Sequence, residues 1–256
     1  MDLGLDGKRA LVLGASRGLG MAIAKSLAAE GAQVFAAARS KDKIEAWSAG
    51  TDGVTPVALD LARIEEVDAL ADMLLQDGGV DIIVNNGGGP PPGTAAGANR
   101  ADWIAHFEAM AANIFHLDTR LLPAMQERGW GRIISVASSG VEQPIPNLAL
   151  SNGIRSAVIG WSKTLANEVA ADGVTVNVVL PGRIHTQRVD ELDAAAAKRT
   201  GKDVADVAAA SRGTIPAGRY GKPEEFADVV TFLASARAGY VTGSRIRVDG
   251  GSIKSI

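Results

Sequence analysis

Hydrophobic and polar positions follow two alternating patterns along the chain. Short runs of β-branched and apolar residues end in glycine, asparagine or aspartate, and longer alanine-rich stretches with helical spacing follow them. This alternation is typical of βαβ units, whose crossover helices cover both faces of a parallel sheet. The predicted strands cover residues 9–13, 33–36, 54–59, 81–84, 132–136, 175–179 and 245–248. The pattern therefore predicts one doubly wound α/β domain over residues 1–256, with a seven-stranded parallel sheet flanked by helices.

Helical periodicity is clearest in four of the intervening stretches. The predicted helices cover residues 19–30, 101–128, 151–171 and 223–234. Residues 187–217 show the least regular pattern of the chain and are rich in alanine and charged residues. We interpret it as a mobile substrate lid that is either helical or partly disordered.

The composition narrows the class of protein further. Hydrophobic residues make up 46% of the chain, enough for a large core, and no apolar run approaches the roughly 20 residues of a membrane-spanning helix. The absence of cysteine excludes disulfides and thiolate metal sites, and a net charge of −3 makes nucleic acid a poor partner. The first residues lack the basic and apolar regions of a secretory signal. We therefore expect a cytoplasmic protein that acts on a small molecule, with no membrane, nucleic-acid or metal partner.

A glycine-rich loop follows the first predicted strand and opens the first predicted helix, with the spacing Gly-x-x-x-Gly-x-Gly. Glycines at such a turn let the backbone approach a diphosphate closely. The helix N-terminus offers unpaired N–H groups and the positive end of its dipole. A tight turn with close helix packing is the structural alternative. The candidate nucleotide-binding residues of this glycine loop are Gly14, Ser16, Arg17, Gly18, Leu19 and Gly20.

The charge at the end of the second predicted strand bears on which dinucleotide would bind. A carboxylate there accepts hydrogen bonds from a ribose 2′-OH and repels a 2′-phosphate, but this chain has the uncharged Ala38. Arg39 follows it, and Arg17 lies in the glycine loop. Two guanidinium groups suit a phosphate through charge-assisted hydrogen bonds. This pattern favours NADP(H) over NAD(H), the alternative being that Arg39 is a solvated residue at the start of a helix.

Further motifs, in the same order along the chain, resemble those of the short-chain dehydrogenase/reductase family. They are Asp60-Leu61, Asn85-Asn86-Gly87-Gly88, Pro181-Gly182-Arg183-Ile184-His185-Thr186, Arg219-Tyr220-Gly221-Lys222-Pro223-Glu224-Glu225 and Val248-Asp249-Gly250-Gly251. Each motif alone is also what turns require. Together they cover nearly the whole chain, and they are nearest to the branch similar to 3-oxoacyl-(acyl-carrier-protein) reductase.

The resemblance implies a Rossmann-type domain and a homo-oligomer, either a tetramer or a dimer, formed through the long helices. It also implies further cofactor-binding residues. These are Asp60 and Leu61 at the adenine ring, Asn86, Gly87 and Gly88 in the turn after the fourth strand, and Pro181, Gly182, Ile184 and Thr186 in the loop over the nicotinamide.

At its catalytic positions the chain departs from the family pattern. The family places a carbonyl-polarising serine after the fifth strand and a proton-donating tyrosine on the next helix. A lysine four residues later lowers the pKa of the tyrosine and holds the nicotinamide ribose. These positions are occupied here by Ser138, Ser151 and Arg155. The family's helix asparagine, which supports a proton-relay water, aligns with Met110, and Asn113 lies about one helical turn further on.

The two replacements have different consequences. A serine hydroxyl is shorter and far less acidic than a phenol, whose reference pKa is about 10. Ser151 therefore cannot play the part of the tyrosine in the same way. Arg155 keeps the positive charge and the donors for ribose hydroxyls, so it is a candidate for both catalysis and cofactor binding.

Three functional interpretations remain open from the sequence. In the first, which we prefer, the protein is an NADP(H)-dependent oxidoreductase that reduces a carbonyl, for example a 3-oxoacyl group. Ser138 and Ser151 bind that carbonyl, and water, His185 or Glu142 supplies the proton in place of the tyrosine. In the second, the protein is a catalytically silent NADP(H)-binding sensor or assembly subunit. In the third, the fold carries a different reaction.

The expected pocket wall bears on the substrate. It comprises the loop that contains Pro90-Pro91-Pro92 and residues 141–150, and most of its side chains are apolar. We therefore expect a hydrophobic carbonyl or alcohol substrate.

Overall fold

A computed structural model describes residues 2–255 of the chain. Its seven strands form one parallel sheet in the order β3-β2-β1-β4-β5-β6-β7. The strands are β1 (Arg9–Leu13), β2 (Gln33–Ala38), β3 (Val54–Ala58), β4 (Ile82–Asn85), β5 (Gly131–Val136), β6 (Val174–Pro181) and β7 (Arg245–Val248). The predicted fold is confirmed, and the predicted strand bounds differ from these by no more than two residues at either end.

The order of the strands creates a switch point between β1 and β4. The chain moves outward from β1 through β2 to β3, then returns to pair Ala10 of β1 with Ile82 of β4. Ligands of open α/β sheets bind outside the carboxyl ends of the strands at such a point. The fold therefore directs attention to the segments that follow β1, β4 and β5.

Helices cover both faces of the sheet, which explains why the strands are nearly continuous apolar runs. One core cluster lies between the sheet and α1 and α9, and another lies between the sheet and α3, α5 and α6. The helices are α1 (Gly18–Ala29), α2 (Lys41–Ser48), α3 (Ile64–Gln76), α4 (Arg100–Phe107), α5 (Asn113–Glu127), α6 (Ala149–Val169), α7 (Gln187–Thr200), α8 (Val204–Gly213) and α9 (Pro223–Ala234).

The prediction of one continuous helix over residues 101–128 is wrong. The structure divides it into α4 and α5, which are joined by a π-helical turn at Glu108–Ala112. A π turn inserts an extra residue into the helical repeat and often occurs at functional sites. The sequence of this turn contains neither proline nor glycine, so the apolar pattern gave no signal of the break.

The stretch predicted as a lid contains the two helices α7 and α8, in agreement with the helical alternative. Asp193 of α7 is buried and fastens this lid to the body of the protein. Its carboxylate accepts a hydrogen bond from Arg183 Nη1 at 2.7 Å and another from the hydroxyl of Tyr220 at 2.7 Å. The mobility of the lid stays a prediction. Within residues 2–255, no helix is both long and apolar enough to cross a membrane.

Candidate active site

The glycine loop, residues 14–20, has little space for side chains. Gly14 and Gly18 have φ angles of +64° and +58°, a conformation that strains other residues. A Cβ added to Gly20 would lie 2.3 Å from the carbonyl oxygen of Gly14. Asn86, which follows β4, donates from Nδ2 to the carbonyl oxygens of Leu13 and Gly14 at 3.2 and 3.4 Å. The side chain of Asn86 thus joins the segment after β4 to the end of β1 at the switch point.

The geometry of this loop fits a dinucleotide diphosphate. The side chain of the N-cap residue Arg17 does not cap α1, and the first turn of this helix contains no acidic residue, so its N–H groups and the helix dipole favour an anion. Beyond the loop, a Cβ at Gly88 would meet no atom within 4 Å, and one at Gly87 would meet only Leu61 at 3.9 Å. The backbone after β4 therefore borders open space, as a cofactor cleft requires.

Two arginines lie at the end of this cleft where the adenosine would bind. The last residue of β2 is Ala38, so no carboxylate stands there. Arg39 is exposed, and no ion pair engages it among residues 2–255. Arg17 is exposed as well, and its Nη1 lies 3.3 Å from Glu191 of α7. The positive charge expected from the sequence is therefore present, and one of the two arginines already contacts a lid carboxylate.

The adenine-side residues are held by local hydrogen bonds. The carboxylate of Asp60 accepts a hydrogen bond from the backbone N–H of Ala62 at 3.1 Å. The carbonyl oxygen of Leu61 accepts one from Asn113 Nδ2 at 2.8 Å. Asn113, one helical turn beyond the aligned relay position, therefore directs its Nδ2 to the Leu61 segment. Met110 packs instead in the cluster with Leu150 and Ile154 of α6.

The loop formed by residues 181–186 meets the glycine loop. Gly182 donates its N–H to the carbonyl oxygen of Val248 at 2.9 Å, and a Cβ there would lie 2.6 Å from Asp249 Cα. Ile184 is buried, and Thr186 precedes α7. A Cβ on Gly18 would lie 3.6 Å from Cγ2 of Thr186. The loop formed by residues 181–186 and the glycine loop thus form two walls of one cleft.

Two of the three predicted catalytic residues are joined through the end of β5. Oγ of Ser138 accepts a hydrogen bond from the N–H of Gly140 at 3.0 Å, which leaves its hydroxyl hydrogen for a substrate oxygen. Arg155 Nη1 donates to the carbonyl oxygen of Val136 at 2.7 Å. Ser151 is buried on α6, one helical turn before Arg155 and on the same face. The arrangement places the hydroxyl of Ser138 and the guanidinium of Arg155 beside the carboxyl end of β5.

Arg155 is half-buried, and no carboxylate pairs with it among residues 2–255. Burial lowers the pKa of its guanidinium to about 10, so the group stays positively charged at neutral pH. A buried cation without a counterion is costly unless a ligand compensates it. This charge therefore suits a site that receives hydroxyl groups or developing negative charge.

The two alternative proton donors have other partners. The side chain of Glu142 is buried and forms ion pairs with Arg247 and, at 3.9 Å, with Arg245. Glu142 is therefore an anchor of the pocket wall, and its carboxylate is already engaged by arginines. His185 is exposed and its Nε2 lies 3.2 Å from Asp190 of α7. Neither residue is hydrogen-bonded to Ser138 or Ser151 in the part of the chain that the structure describes.

Asn152 is a functional candidate that the sequence reasoning missed. Its Nδ2 donates to the carbonyl oxygen of Ile145 at 3.0 Å and so holds the pocket wall against the start of α6. Gly93 forms a parallel bridge with Leu148 and thereby joins the proline-rich loop to the same wall. No local pattern identifies such a contact, although Asn152 lies within the segment where the family motif is lost.

Comparison with known proteins was consistent with this geometry. Residues 14–252 match the family described as enoyl-(acyl carrier protein) reductase. The chain is 38% identical over 254 residues to the 3-oxoacyl-(acyl-carrier-protein) reductase of Vibrio cholerae, covering 97% of this chain and 98% of that protein. The corresponding reductase of Escherichia coli is 37% identical over 255 residues, with coverage of 97% and 98%. L-Sorbose reductase from Gluconobacter frateurii, solved with NADPH and L-sorbose, is 35% identical with a TM-score of 0.94 and full coverage of both chains.

Proposed function

Because the chain belongs to the short-chain dehydrogenase/reductase family, we propose that it is an NADP(H)-dependent reductase of a small carbonyl compound. The observation that carries the proposal is the intact cofactor cleft. The glycine loop is held by Asn86, the N-terminus of α1 is uncapped, and the end of β2 has Arg39 without a carboxylate. These features suit a dinucleotide with a 2′-phosphate. The L-sorbose reductase structure, which contains NADPH, supports the choice of cofactor.

The proposed chemistry assigns a role to each residue of the centre. NADPH, when bound, supplies a hydride to the carbonyl carbon. The hydroxyl of Ser138 donates to the carbonyl oxygen, and its orientation is fixed by the N–H of Gly140. The N–H groups of Arg155 that do not reach Val136 hold ribose hydroxyls, and its charge stabilises the developing alkoxide. Electrostatic stabilisation of this kind needs no proton transfer from the arginine, which keeps its charge.

The proton reaches the alkoxide through the hydroxyl of Ser151. A serine hydroxyl donates one hydrogen and accepts another, so it can pass a proton from water to the product oxygen, and the hydroxide left behind takes up a proton from the solvent. Ser151 is buried and therefore needs one ordered water molecule as the source. Under this proposal the pH profile lacks the contribution of a catalytic phenol, because no tyrosine lies in the centre.

The substrate that we propose is an apolar carbonyl compound. The wall of the pocket presents Val141, Ile145 and Leu148, and its one carboxylate, Glu142, is paired with arginines. Ile145 is 37% exposed, so it offers apolar surface to a ligand. An acyl chain such as that of a 3-oxoacyl thioester fits this wall better than a sugar does. The Vibrio cholerae and Escherichia coli relatives support this class, and the L-sorbose reductase marks the polar alternative.

The first experiment measures NADPH binding and then NADPH oxidation with 3-oxoacyl thioesters, simple ketones and ketoses. It compares the natural protein, a Ser138→Ala variant and a Ser151→Tyr, Arg155→Lys double variant. We expect NADPH binding in all three, turnover in the natural protein, and loss of turnover in Ser138→Ala. Failure of the natural protein to bind NADPH would overturn the proposal.

A second candidate function is supported by Met110 and Ser151 together. Both the relay asparagine and the tyrosine of the family are replaced, while the cofactor cleft is retained. The chain would then be an NADP(H)-binding sensor or assembly subunit. A natural protein that binds NADPH but turns over no carbonyl, beside an active double variant, would favour this candidate over the reductase.

We also propose that the protein acts as a homo-oligomer. Ile104 and Phe107 of α4 are each 39% exposed and form an apolar patch on the helices that we expect to meet in a dimer or tetramer. Light scattering after size-exclusion chromatography tests this, since a monomer across micromolar concentrations contradicts it.

A further inference from the structure

A buried carboxyl group lies beneath the candidate site. Asp118 of α5 is fully buried, and its Oδ2 accepts a hydrogen bond from Asn85 Nδ2 at 2.6 Å. Asn85, the last residue of β4, also donates to Oγ of Ser135 on β5 at 3.3 Å. Within residues 2–255, two atoms of this group have no hydrogen-bond partner: Oδ1 of Asp118 and Oδ1 of Asn85. Both are acceptors when Asp118 is ionised, so they cannot satisfy each other in that state.

Among residues 2–255, no cation forms an ion pair or a hydrogen bond with the carboxylate of Asp118. On α3, Asp68 and Asp72 turn outward to His116 and Arg120 of α5. The charged groups of the other neighbours also point elsewhere. Glu108 of the π turn is exposed, Arg132 of β5 donates to the carbonyl oxygen of Ser235, and Arg155 of α6 donates to that of Val136.

The pKa of Asp118 is raised to about 8, because burial disfavours the charged form more than the hydrogen bond from Asn85 favours it. The carboxyl group therefore differs from the exposed Asp68, whose pKa is lowered by hydrogen bonds from His116 and Arg120.

We propose that Asp118 is a positioning residue that is protonated at neutral pH and donates its hydrogen to Oδ1 of Asn85. A neutral carboxyl group has one donor and one acceptor, and the carboxamide of Asn85 offers the complementary pair. Together they form a ring of two hydrogen bonds. One proton thus satisfies both unpartnered oxygens, which ionised Asp118 leaves buried and unpaired.

The ring lies at the ends of β4 and β5, directly before two residues that hold parts of the candidate site. Asn85 directly precedes Asn86, whose side chain holds the glycine loop. Ser135 directly precedes Val136, whose carbonyl oxygen holds Arg155. Ionisation of Asp118 removes one hydrogen bond of the ring and places a negative charge against Oδ1 of Asn85. The ends of β4 and β5 then lose a connection, so the cofactor cleft becomes less well ordered.

This inference rests on the proposed function as far as cofactor binding is concerned, and it predicts pH-dependent affinity for NADPH. The Asp118→Asn variant imitates the neutral acid, because a carboxamide also offers one donor and one acceptor in the same shape. The matched control is Asp68→Asn, which removes an exposed carboxylate between the same two helices. The dissociation constant of NADPH is measured from pH 6 to pH 9.5 for all three proteins.

We expect the affinity of the natural protein and of Asp68→Asn to fall about tenfold above pH 8, as titration of one group over one pH unit allows. The affinity of Asp118→Asn stays constant over the same range. A natural protein with the same pH profile as Asp118→Asn would overturn the proposal.

A second measurement needs no cofactor. Infrared difference spectra between pH 7 and pH 10 report the carbonyl stretch of a protonated carboxyl group. We expect this band at pH 7 in the natural protein and in Asp68→Asn, and its absence from Asp118→Asn or, if that variant does not fold, from Asp118→Ser. No such band at pH 7 would overturn the proposal. If NADPH does not bind at any pH, the proposed function fails while the infrared band still decides the state of Asp118.

Discussion

Replacement of Asp118 by asparagine should stabilise the folded protein at neutral pH, although it alters a fully buried polar group. Burial raises the pKa of this carboxyl group to about 8 in the folded chain, against the ordinary value of 3.8 that applies to the unfolded chain. Between these values the folded state binds more protons than the unfolded state, so the free energy of unfolding falls as the pH rises. The contribution is complete below pH 3.8 and is lost as the pH rises to about 8.

The magnitude follows from the separation of the two pKa values. About three pH units lie between the unfolded value and pH 7, and each unit corresponds to about 1.4 kcal/mol, so the natural protein loses up to about 4 kcal/mol by pH 7. Asp118→Asn carries no ionisable group at this position, so its free energy of unfolding does not fall through titration of this side chain. Its carboxamide offers the donor and the acceptor for both hydrogen bonds of the proposed ring with Asn85. The variant should therefore exceed the natural protein in stability by an amount that grows with pH.

Urea denaturation of both proteins at several pH values from 5 to 9 measures this difference. Every other titrating group is common to the two proteins, so its contribution cancels in the difference. We expect the advantage of Asp118→Asn to increase steadily from pH 5 to about pH 8 and then to level off. A difference that stays constant between pH 5 and pH 8 would refute the reasoning, because it would mean that Asp118 titrates at an ordinary pKa.

Three further predictions concern the cofactor cleft. Arg39→Glu should weaken NADPH binding about 10- to 100-fold, as the loss of charge-assisted hydrogen bonds implies, and NADH binding much less; equal losses in a fluorescence titration would contradict the assignment. Glu191→Gln should strengthen NADPH binding about two- to threefold, because an exposed ion pair with Arg17 is worth less than about 1 kcal/mol. The control Asp190→Asn, whose carboxylate pairs with a histidine, should leave that affinity unchanged. Gly20→Ala should abolish NADPH binding in the same titration, since its Cβ would lie 2.3 Å from a backbone oxygen.

The fold could be predicted from the sequence because its signals are local. Strands such as β6 are buried on both faces and so read as uninterrupted apolar runs between turn residues. The glycine loop has a conformational requirement that only glycine meets easily, as at Gly14 and Gly18. The π turn between α4 and α5 was not predicted, because it changes the helical repeat without a proline or glycine that would signal the change. The hydrophobic pattern of the sequence thus predicts the strands and the glycine loop, whereas the π turn depends on how the side chains pack.

The candidate site could be predicted only in part, for a related reason. Its backbone elements follow the strands and are recognisable by their spacing. The partners of Glu142 and Asp118 lie 105 and 33 residues away along the chain, so no local pattern shows that one is paired with arginine and the other with an asparagine. Both carboxyl groups look like ordinary surface residues in the sequence. Their burial and their partners decide their chemistry.

The replacements at Met110, Ser151 and Arg155 are consistent with one another under the proposed mechanism. A lysine in this position serves partly to lower the pKa of a neighbouring phenol, and that purpose disappears when the phenol is absent. What the site still needs is a fixed positive charge near the alkoxide, and an arginine that is half-buried and keeps its charge supplies it. The relay asparagine of the family serves the tyrosine and the lysine, and with both of these replaced Met110 can pack against α6. The single substitution Arg155→Lys should therefore lower turnover. The ammonium group loses the hydrogen bond to the carbonyl oxygen of Val136, and it has no phenol to activate. Only with Ser151→Tyr beside it should lysine raise turnover above that of the natural protein.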